Sequence, residues 1–228
     1  MTKKPFFSII IPALNEEKYL PLLLDDLSKQ TFQNFEVIVV DGKSEDKTVE
    51  LAKNFTNMLP KLTMITSKKR HVCTQRNLGA KKATSDILVF SDADNRLPTF
   101  FLQGIKYRLD CTHPDLITPW FKPDKNSASN NTLALAMNLA LEFQKTISSP
   151  MMLESLVVIK KSSFKMIGGF DEKIHYAEGR QFAESVLEKG LDWIIVRDPI
   201  YSFSFRRFRK FGTLKVMKNT AALGLSNL

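Results

Sequence analysis

Long apolar runs separated by polar stretches dominate the first hundred residues. Each run is rich in β-branched and aromatic residues and lacks the alternation of a half-exposed strand. Such runs are typical of strands buried on both faces of a parallel sheet. These runs cover residues 6–11, 35–40, 62–65 and 87–90. Apolar residues at helical spacing predict helices between them, from residue 15 onward, at about 47–55 and at 72–83. Alternating strands and helices predict an α/β fold with a mostly parallel central sheet flanked by helices.

The second half of the chain is less regular. Apolar segments predict strands at 115–120, 156–159, 193–196 and 200–205, and helical spacing predicts helices at 98–109, 132–145 and 181–188. No internal repeat, low-complexity segment or linker interrupts the pattern. The simplest expectation is therefore a single domain spanning residues 1–228.

Three of the predicted strands end in polar or acidic residues, at Pro12–Asn15, Asp41–Ser44 and Asp92–Asp94. The carboxyl ends of parallel strands share one edge of a sheet, which is where ligands bind in such folds. Asp92 and Asp94 repel each other, and a divalent cation with oxygen ligands would relieve that repulsion. The alternative is a solvated turn whose aspartate caps the next helix. The convergence of three polar tips favours a site.

Composition and charge narrow the function classes. A chain of 228 residues with 43% hydrophobic and 25% charged residues is ordinary for a soluble globular protein. No apolar run approaches the roughly 20 residues that span a membrane, and no secretory signal is evident, so we expect a cytoplasmic protein. The scattered two cysteines and three histidines argue against zinc. A formal charge of +9 indicates anionic partners, namely nucleotide phosphates, acidic lipid headgroups or nucleic acid.

Five segments, in this order, resemble the family-2-type nucleotide-sugar glycosyltransferases, which have the GT-A fold. They are Ile9–Glu17, Phe35–Thr48, Arg76–Ala80, Asp92–Asp94 and Gly168–Glu172. The resemblance implies a GT-A-type Rossmann-like sandwich with a nucleotide-sugar-binding half (1–110), an acceptor-side half (111–205) and a basic, amphipathic tail (206–228). It also implies an inverting, metal-dependent hexosyltransferase that moves a sugar from a UDP- or GDP-sugar to an acceptor hydroxyl. The acceptor would belong to a cell-surface polysaccharide, a glycolipid or a lipid-linked glycan.

The resemblance also implies roles for individual residues. Asp92 and Asp94 would hold Mg²⁺ or Mn²⁺, with Asp94 as the direct ligand and Asp92 facing the ribose. Arg206 and Arg207 would face the diphosphate or the acceptor, where guanidinium groups suit phosphate. The alternatives are that Asp41 is a turn residue, Arg76 a surface charge, and the basic segment a contact to anionic membrane at its inner face. The residues implied for the nucleotide are Pro12, Ala13, Asn15, Glu16, Asp41, Ser44, Arg76 and Asp92.

The catalytic base is where this chain departs from the family. Relatives usually carry a Glu-Asp pair after the Gly-Gly-Phe-Asp-Glu segment, with the aspartate as base. Here the pair reads Glu178-Gly179. The resemblance therefore implies Glu178 as the base, while Glu184, Asp171 or loss of the function remain open. Glu178 could instead only cap or salt-bridge the following helix.

Two other function classes compete with an active transferase. Gly179 would fit a catalytically silent relative that only binds nucleotide-sugar. A nucleic-acid-binding module would fit the phenylalanines between the basic residues of 203–211. Acidic strand tips argue against the latter because they repel phosphate unless a metal is bound. We therefore expect a nucleotide-diphosphate sugar and a glycan or lipid-linked acceptor as partners, and no nucleic acid.

Overall fold

A computed structural model describes residues 4–144, 152–174 and 178–212 of the protein. Within these residues a seven-stranded sheet is flanked by helices. The strands are β1 Phe7–Ala13, β2 Phe35–Asp41, β3 Leu62–Thr66, β4 Ile87–Ser91, β5 Leu116–Pro123, β6 Leu156–Lys160 and β7 Trp193–Phe203. The helices are α1 Leu20–Ser28, α2 Thr48–Lys53, α3 Val72–Lys82, α4 Phe101–Thr112, α5 Ala128–Gln144, α6 Lys161–Met166, α7 Glu178–Glu188 and α8 Arg206–Phe211.

The sheet is mixed but mostly parallel, in the order β3-β2-β1-β4-β6-β5-β7. Strands β3, β2, β1 and β4 run parallel, and β5 and β7 are parallel to each other. Strand β6 runs antiparallel to both of its neighbours, β4 and β5. The predicted α/β fold with a mostly parallel central sheet is confirmed.

Two apolar layers, one on each face of the sheet, explain the continuous hydrophobic runs. In β1, Ile9 and Ile11 belong to one layer, and Ile10 belongs to the other. In β2, Val39 and Val40 divide between the layers in the same way. Successive side chains of a strand point to opposite faces, so a strand covered on both faces must be apolar throughout.

Several predicted boundaries were wrong. The first helix begins at Leu20 rather than Asn15, because Asn15 has φ 56° and continues a loop. Helix α4 begins at Phe101 and no side chain caps it, so neither Asp92 nor Asp94 has that role. The two strands predicted around Pro199 are one strand, β7. It lies at the edge of the sheet, where proline's missing N–H is tolerated. Helices α6 and α8 were not predicted, and the tail from residue 213 lies outside the described residues.

Glu36 is a buried carboxylate that joins the strands of the parallel half. It accepts hydrogen bonds from Ser8 Oγ, Thr84 N and Lys61 Nζ, each at 2.7 Å. Burial alone would raise the pKa of Glu36, but the Lys61 ammonium and the Thr84 and Ser8 donors outweigh it and lower the pKa from 4.5 to about 2. The ionised form is therefore the one that stabilises the fold.

We expect this network to make stability depend on pH. A depressed folded-state pKa contributes stability above the unfolded value and loses it as pH falls through 4.5 towards about 2. The contribution is about 3 kcal/mol at neutral pH. Glu36→Gln should lower the free energy of unfolding, measured by urea denaturation, by about that amount and flatten its pH dependence in this window. The exposed Glu50→Gln is the control. An unchanged pH dependence in Glu36→Gln would contradict this assignment.

Candidate active site

The loops after β1 and β2 are joined to each other at the carboxyl end of the sheet. The Gly42 N–H donates to the Ala13 carbonyl at 2.8 Å, directly beyond the paired strands. The Asn15 N–H donates to Ser44 Oγ at 2.9 Å, and the Glu16 N–H donates to Thr48 Oγ1 at 2.7 Å. The first two of the three predicted tips therefore form one connected surface.

Asp41 organises the loop that follows β2. Its buried carboxylate accepts hydrogen bonds from the Lys43 N–H at 3.0 Å and the Ser44 N–H at 3.2 Å. Lys43 has φ 64°, and Gln75 packs against Gly42 so closely that a Cβ there would overlap the Gln75 amide. The Gln75 amide also donates to the Ala13 carbonyl at 3.1 Å. The loop backbone is therefore held from both sides.

Asp92 is held by a buried arginine. Arg76 is only 3% exposed, donates from Nη2 to Asp92 Oδ1 at 2.8 Å, and stacks over the Phe170 ring at 5.1 Å. Burial alone would lower the pKa of Arg76, but the negative charges of Asp92 and Glu154 outweigh it and raise the pKa. Arg76 therefore remains a cation inside the protein, which rules out the alternative of a solvated surface charge.

Asp94 faces a second arginine. Its carboxylate is 11% exposed, and Arg206 Nε lies 2.8 Å from Oδ2. Burial raises the pKa of Asp94, and repulsion from Asp92 raises it further, against the opposing effects of Arg206 and Ser204. Asp92 and Asp94 therefore repel each other, as the sequence predicted.

Arg206 connects the beginning of α8 to the tips of β1 and β4. Besides Asp94, its guanidinium contacts both oxygens of Glu16, one of them at 2.8 Å, and lies over the Tyr19 ring at 4.9 Å. Arg207 has an exposed side chain, and no hydrogen bond or ion pair joins it to the site in the described ranges. Arg209 instead binds Asp124 at 2.6 and 2.7 Å. The structure thus brings Arg206, and not Arg207, to the predicted site.

The segment before β6 contributes residues that the sequence did not mark. The Ser155 carbonyl accepts the Asp92 N–H at 2.8 Å and the amide of buried Asn95 at 2.6 Å. The Glu154 carbonyl accepts Arg76 Nη2 at 3.2 Å. Asn95 could have been noticed from its place beside the Asp-x-Asp motif, whereas nothing local in the sequence distinguishes Glu154 or Ser155.

The pKa of Tyr201 is affected by the negative charges at this edge of the sheet. Its hydroxyl is buried and bonded to Ser155 Oγ at 2.7 Å. Burial raises the pKa of Tyr201 far above its usual value, against the lowering effect of the Ser155 bond, and the charges of Asp92, Asp94 and Glu154 raise it further. The charges of three acidic side chains therefore act on one buried phenol.

The candidate bases from the sequence have different surroundings. Glu178 begins α7, but its side chain lies outside the described residues. Glu184 is paired with Arg180 at 2.8 Å within α7. Asp171 accepts the Lys173 N–H at 2.8 Å, a bond that lowers its pKa. It lines a cavity of about 380 Å³ whose walls include Gly169 but neither Asp92 nor Asp94.

The donor set of the strand tips fits a divalent cation completed by a substrate. Within the described ranges, no three His, Cys, Asp or Glu side chains are placed to hold a metal. Asp92 and Asp94 offer two hard oxygen donors, and Mg²⁺ is often bound by one or two carboxylates together with substrate phosphates. The raised pKa of Asp94 indicates that additional positive charge would be favourable there.

None of the helices in the described part of the chain combines the length and the apolar character that crossing a membrane requires.

Comparison with known proteins places the chain in a family. Residues 8–168 match the model of Glycosyl transferase family 2. The chain is 32% identical over 114 residues to poly(ribitol-phosphate) beta-N-acetylglucosaminyltransferase TarS of Staphylococcus aureus, covering 49% of this chain and 20% of that protein. It is 39% identical over 94 residues to the PGL/p-HBAD biosynthesis glycosyltransferase of Mycobacterium bovis, covering 41% of this chain and 37% of that protein. These matches therefore span well under half of either relative.

Solved structures share the fold. The S. aureus TarS fragment 1–349 in complex with UDP superposes with a TM-score of 0.70 at 22% identity, covering 89% of this chain and 60% of that one. The mannosyltransferase PcManGT from Pyrobaculum calidifontis, in complex with GDP-Man and Mn²⁺, also gives 0.70, at 20% identity, covering 89% of this chain and 57% of that one. The GT-A fold implied by the sequence motifs is confirmed by this agreement.

Proposed function

The chain belongs to glycosyl transferase family 2, and from that membership we propose that it transfers a sugar from a UDP- or GDP-sugar to an acceptor hydroxyl with inversion at the anomeric carbon. One observation carries the proposal. The polar tips of three neighbouring parallel strands form a single edge on which Asp92 and Asp94 lie between two arginines. That arrangement suits an anionic diphosphate, because carboxylates can hold a cation and guanidinium groups balance the remaining charge.

The nucleotide would lie over the loops after β1 and β2. The hydrogen bonds from Gly42 to Ala13 and from Asn15 to Ser44 fix those loops before any ligand arrives. A pre-organised pocket costs less ordering entropy on binding. Arg76 would act by holding Asp92 towards the ribose. The proposed lining is Pro12, Ala13, Asn15, Glu16, Asp41, Ser44, Arg76 and Asp92, within the proposed nucleotide-binding half of one domain.

Asp94 would be the principal protein ligand for Mg²⁺ or Mn²⁺, with Asp92 beside it. When bound, the cation supplies positive charge to the leaving diphosphate. The structural relative with GDP-Man and Mn²⁺ supports this assignment. The chain's own residues orient the two carboxylates, through Arg76 and Arg206.

Arg206 would keep the edge compatible with phosphate. Without it, Glu16 and Asp94 would present unbalanced negative charge to the incoming diphosphate. We expect Arg206→Ala to weaken UDP or GDP binding by about tenfold to a hundredfold, the range typical of a lost charged hydrogen bond. Isothermal titration calorimetry measures the change, and the exposed Lys210→Ala on the same helix is the control. If Arg206→Ala and Lys210→Ala lowered the nucleotide affinity equally, the effect would come from the net positive charge of the helix and not from the position of Arg206.

The acceptor would be part of a cell-surface glycan, a glycolipid or a lipid-linked glycan. The names of the relatives, a poly(ribitol-phosphate) transferase and a PGL/p-HBAD biosynthesis enzyme, support this class. The net charge of +9 would favour work at the inner, anionic face of a membrane.

A thermal-shift panel of nucleoside diphosphates tests the proposed donor class. UDP or GDP at about 100 times its dissociation constant should add about 2.7 kcal/mol of stability, which is roughly 5–10 °C for a chain of this size. The shift should require Mn²⁺ or Mg²⁺ and should be absent with CDP and ADP. Absence of any nucleotide effect contradicts the proposal. Metal-dependent binding without turnover of any donor would instead favour the silent relative.

A further inference from the structure

We propose that Glu154 is the base that accepts the proton of the acceptor hydroxyl. This inference rests on the proposed function, and it assigns a role to a residue that no motif in the sequence marks. The evidence is the position of Glu154 along the sheet edge, the effect of its charge on Arg76 and Tyr201, and the way Gly179 gives it room.

Glu154 lies level with the Asp-x-Asp motif. The register of β4 and β6 pairs Ser91 with Leu156, and these strands are antiparallel. The pairing continues one step further, since the Asp92 N–H donates to the Ser155 carbonyl at 2.8 Å. Glu154 is the next residue, and its backbone carbonyl accepts Arg76 Nη2 at 3.2 Å. One arginine therefore bonds both to the Asp92 carboxylate and to the Glu154 backbone.

The order of strands puts Glu154 on the side away from the nucleotide loops. Along the edge, Asp41 ends β2, Asn15 follows β1, Asp92 and Asp94 follow β4, and Glu154 precedes β6. An inverting displacement needs its base across the anomeric carbon from the leaving diphosphate. With the nucleotide over β1 and β2 and the diphosphate at β4, the β6 side is the one that faces the acceptor.

The electrostatic coupling shows that the Glu154 carboxylate shares this environment. The charge of Glu154 helps to raise the pKa of Arg76 and of Tyr201, as does that of Asp92. The Glu154 side chain is only partly buried. Arg76 bonds to the Asp92 carboxylate, and Arg206 lies against that of Asp94. Each of those two aspartates is therefore engaged by an arginine and is a proposed ligand of the cation.

Gly179 packs against the Met152 carbonyl and against the same carboxylate. A Cβ at position 179 would overlap Glu154 Oε2 and the Met152 carbonyl oxygen, and would lie 3.1 Å from Glu154 Cδ. The space in which a residue with a side chain would sit on α7 is filled by the carboxylate of Glu154. Position 179 thus has no acidic side chain of its own, and the Glu154 carboxylate from the segment before β6 lies there instead.

The proposed step balances without another reactant. The acceptor oxygen forms a bond to the anomeric carbon as its proton passes to the Glu154 carboxylate. The bond between the anomeric carbon and the diphosphate oxygen breaks, and its electron pair leaves with the nucleoside diphosphate. The products are the glycosylated acceptor, the nucleoside diphosphate and protonated Glu154, which returns its proton to water.

Release of UDP from UDP-GlcNAc and of GDP from GDP-mannose, with Mn²⁺ and water as acceptor, tests the inference. Glu154→Gln should lower kcat by about 100-fold to 10,000-fold, the range for a lost general base. The affinity of this variant for UDP or GDP, measured by calorimetry, should stay within about twofold of the wild-type value. Loss of a merely structural residue would not lower kcat so far while leaving that affinity unchanged. Added formate should restore part of the rate in Glu154→Ala. Glu142→Gln, which removes a carboxylate paired with Arg197, is the control for activity.

The outcomes separate the inference from the proposed function. Turnover by the wild-type chain together with wild-type kcat in Glu154→Gln overturns the role of Glu154 and leaves the transferase standing. A large loss of kcat in Glu178→Gln without one in Glu154→Gln moves the base to Glu178. A purely structural role would be indicated by two results together. Glu154→Gln would lose thermal stability and nucleotide affinity, and formate would not restore the rate of Glu154→Ala. Wild-type protein that releases no nucleotide from either donor overturns the proposed function and this inference together.

Discussion

Asp94→Asn is expected to abolish turnover without weakening the fold. The substitution keeps the size of the side chain and removes the negative charge proposed to hold the cation, so kcat/KM should fall by at least about 100-fold, or about 2.7 kcal/mol of transition-state stabilisation. The divalent-metal requirement for nucleotide binding should weaken in parallel. Both are measured by nucleotide release and by thermal shift with and without Mn²⁺.

The melting temperature of Asp94→Asn distinguishes loss of the cation ligand from loss of the fold. The pKa of Asp94 is raised by burial and by Asp92, so its ionised form is disfavoured in the folded state. A raised carboxylate pKa means that ionisation costs stability as pH rises above the ordinary value near 3.8. Removing the charge should therefore leave the melting temperature at neutral pH unchanged or higher. The exposed Asp110→Asn should change neither property. Full activity in Asp94→Asn would exclude this carboxylate as a ligand.

Arg76→Met is expected to be the most destabilising single substitution at the site. The buried guanidinium balances Asp92 and Glu154 and stacks on Phe170. Removing one partner of a buried ion pair leaves uncompensated charge and costs about 3–5 kcal/mol. For a chain of this length that corresponds to a fall of about 6–20 °C in the melting temperature. Differential scanning calorimetry measures it, and turnover should be lost as Asp92 and Glu154 move.

Arg197→Met is a matched control for that experiment. Arg197 also combines a carboxylate partner, Glu142 at 2.7 Å, with an aromatic ring, Trp120 at 4.8 Å. Its side chain, however, is 66% exposed, so solvent screens the pair and its contribution to stability should be small. Equal destabilisation by the two substitutions would contradict the view that burial makes Arg76 important.

The parallel half of the fold could be predicted because its signals are local. Residues such as Ile10 and Val39 lie in runs that are apolar on both faces, and such runs occur where a sheet is covered on both sides. The convergence of Asp41, Asn15 and Asp92 then follows from the rule that parallel strands end on a common edge. The alternation of strands and helices was sufficient to find that edge, and motif order was sufficient to identify the family.

The second half of the chain could not be predicted in the same way. The antiparallel pairing of β4 with β6 brings Glu154 and Asp92 to the same arginine, Arg76, and no local pattern predicts the direction of β6 or its register. Arg206 reaches Asp94 from the other end of the chain, and sequence alone did not separate it from the exposed Arg207. The meaning of Gly179 also depends on a neighbour 25 positions earlier, Glu154, that only the folded chain brings to it. These are long-range contacts, and periodicity contains no information about them.

Release of nucleoside diphosphate from UDP-GlcNAc and GDP-mannose by the wild-type chain is the most direct test of the central claim. The claim is that the Asp92–Asp94 edge binds a nucleotide-sugar through a divalent cation and activates it for transfer. We predict release of UDP or GDP in Mn²⁺ that stops on addition of EDTA, returns when Mn²⁺ is restored, and is absent in Asp94→Asn. Release that continues unchanged in EDTA and in Asp94→Asn would contradict the claim.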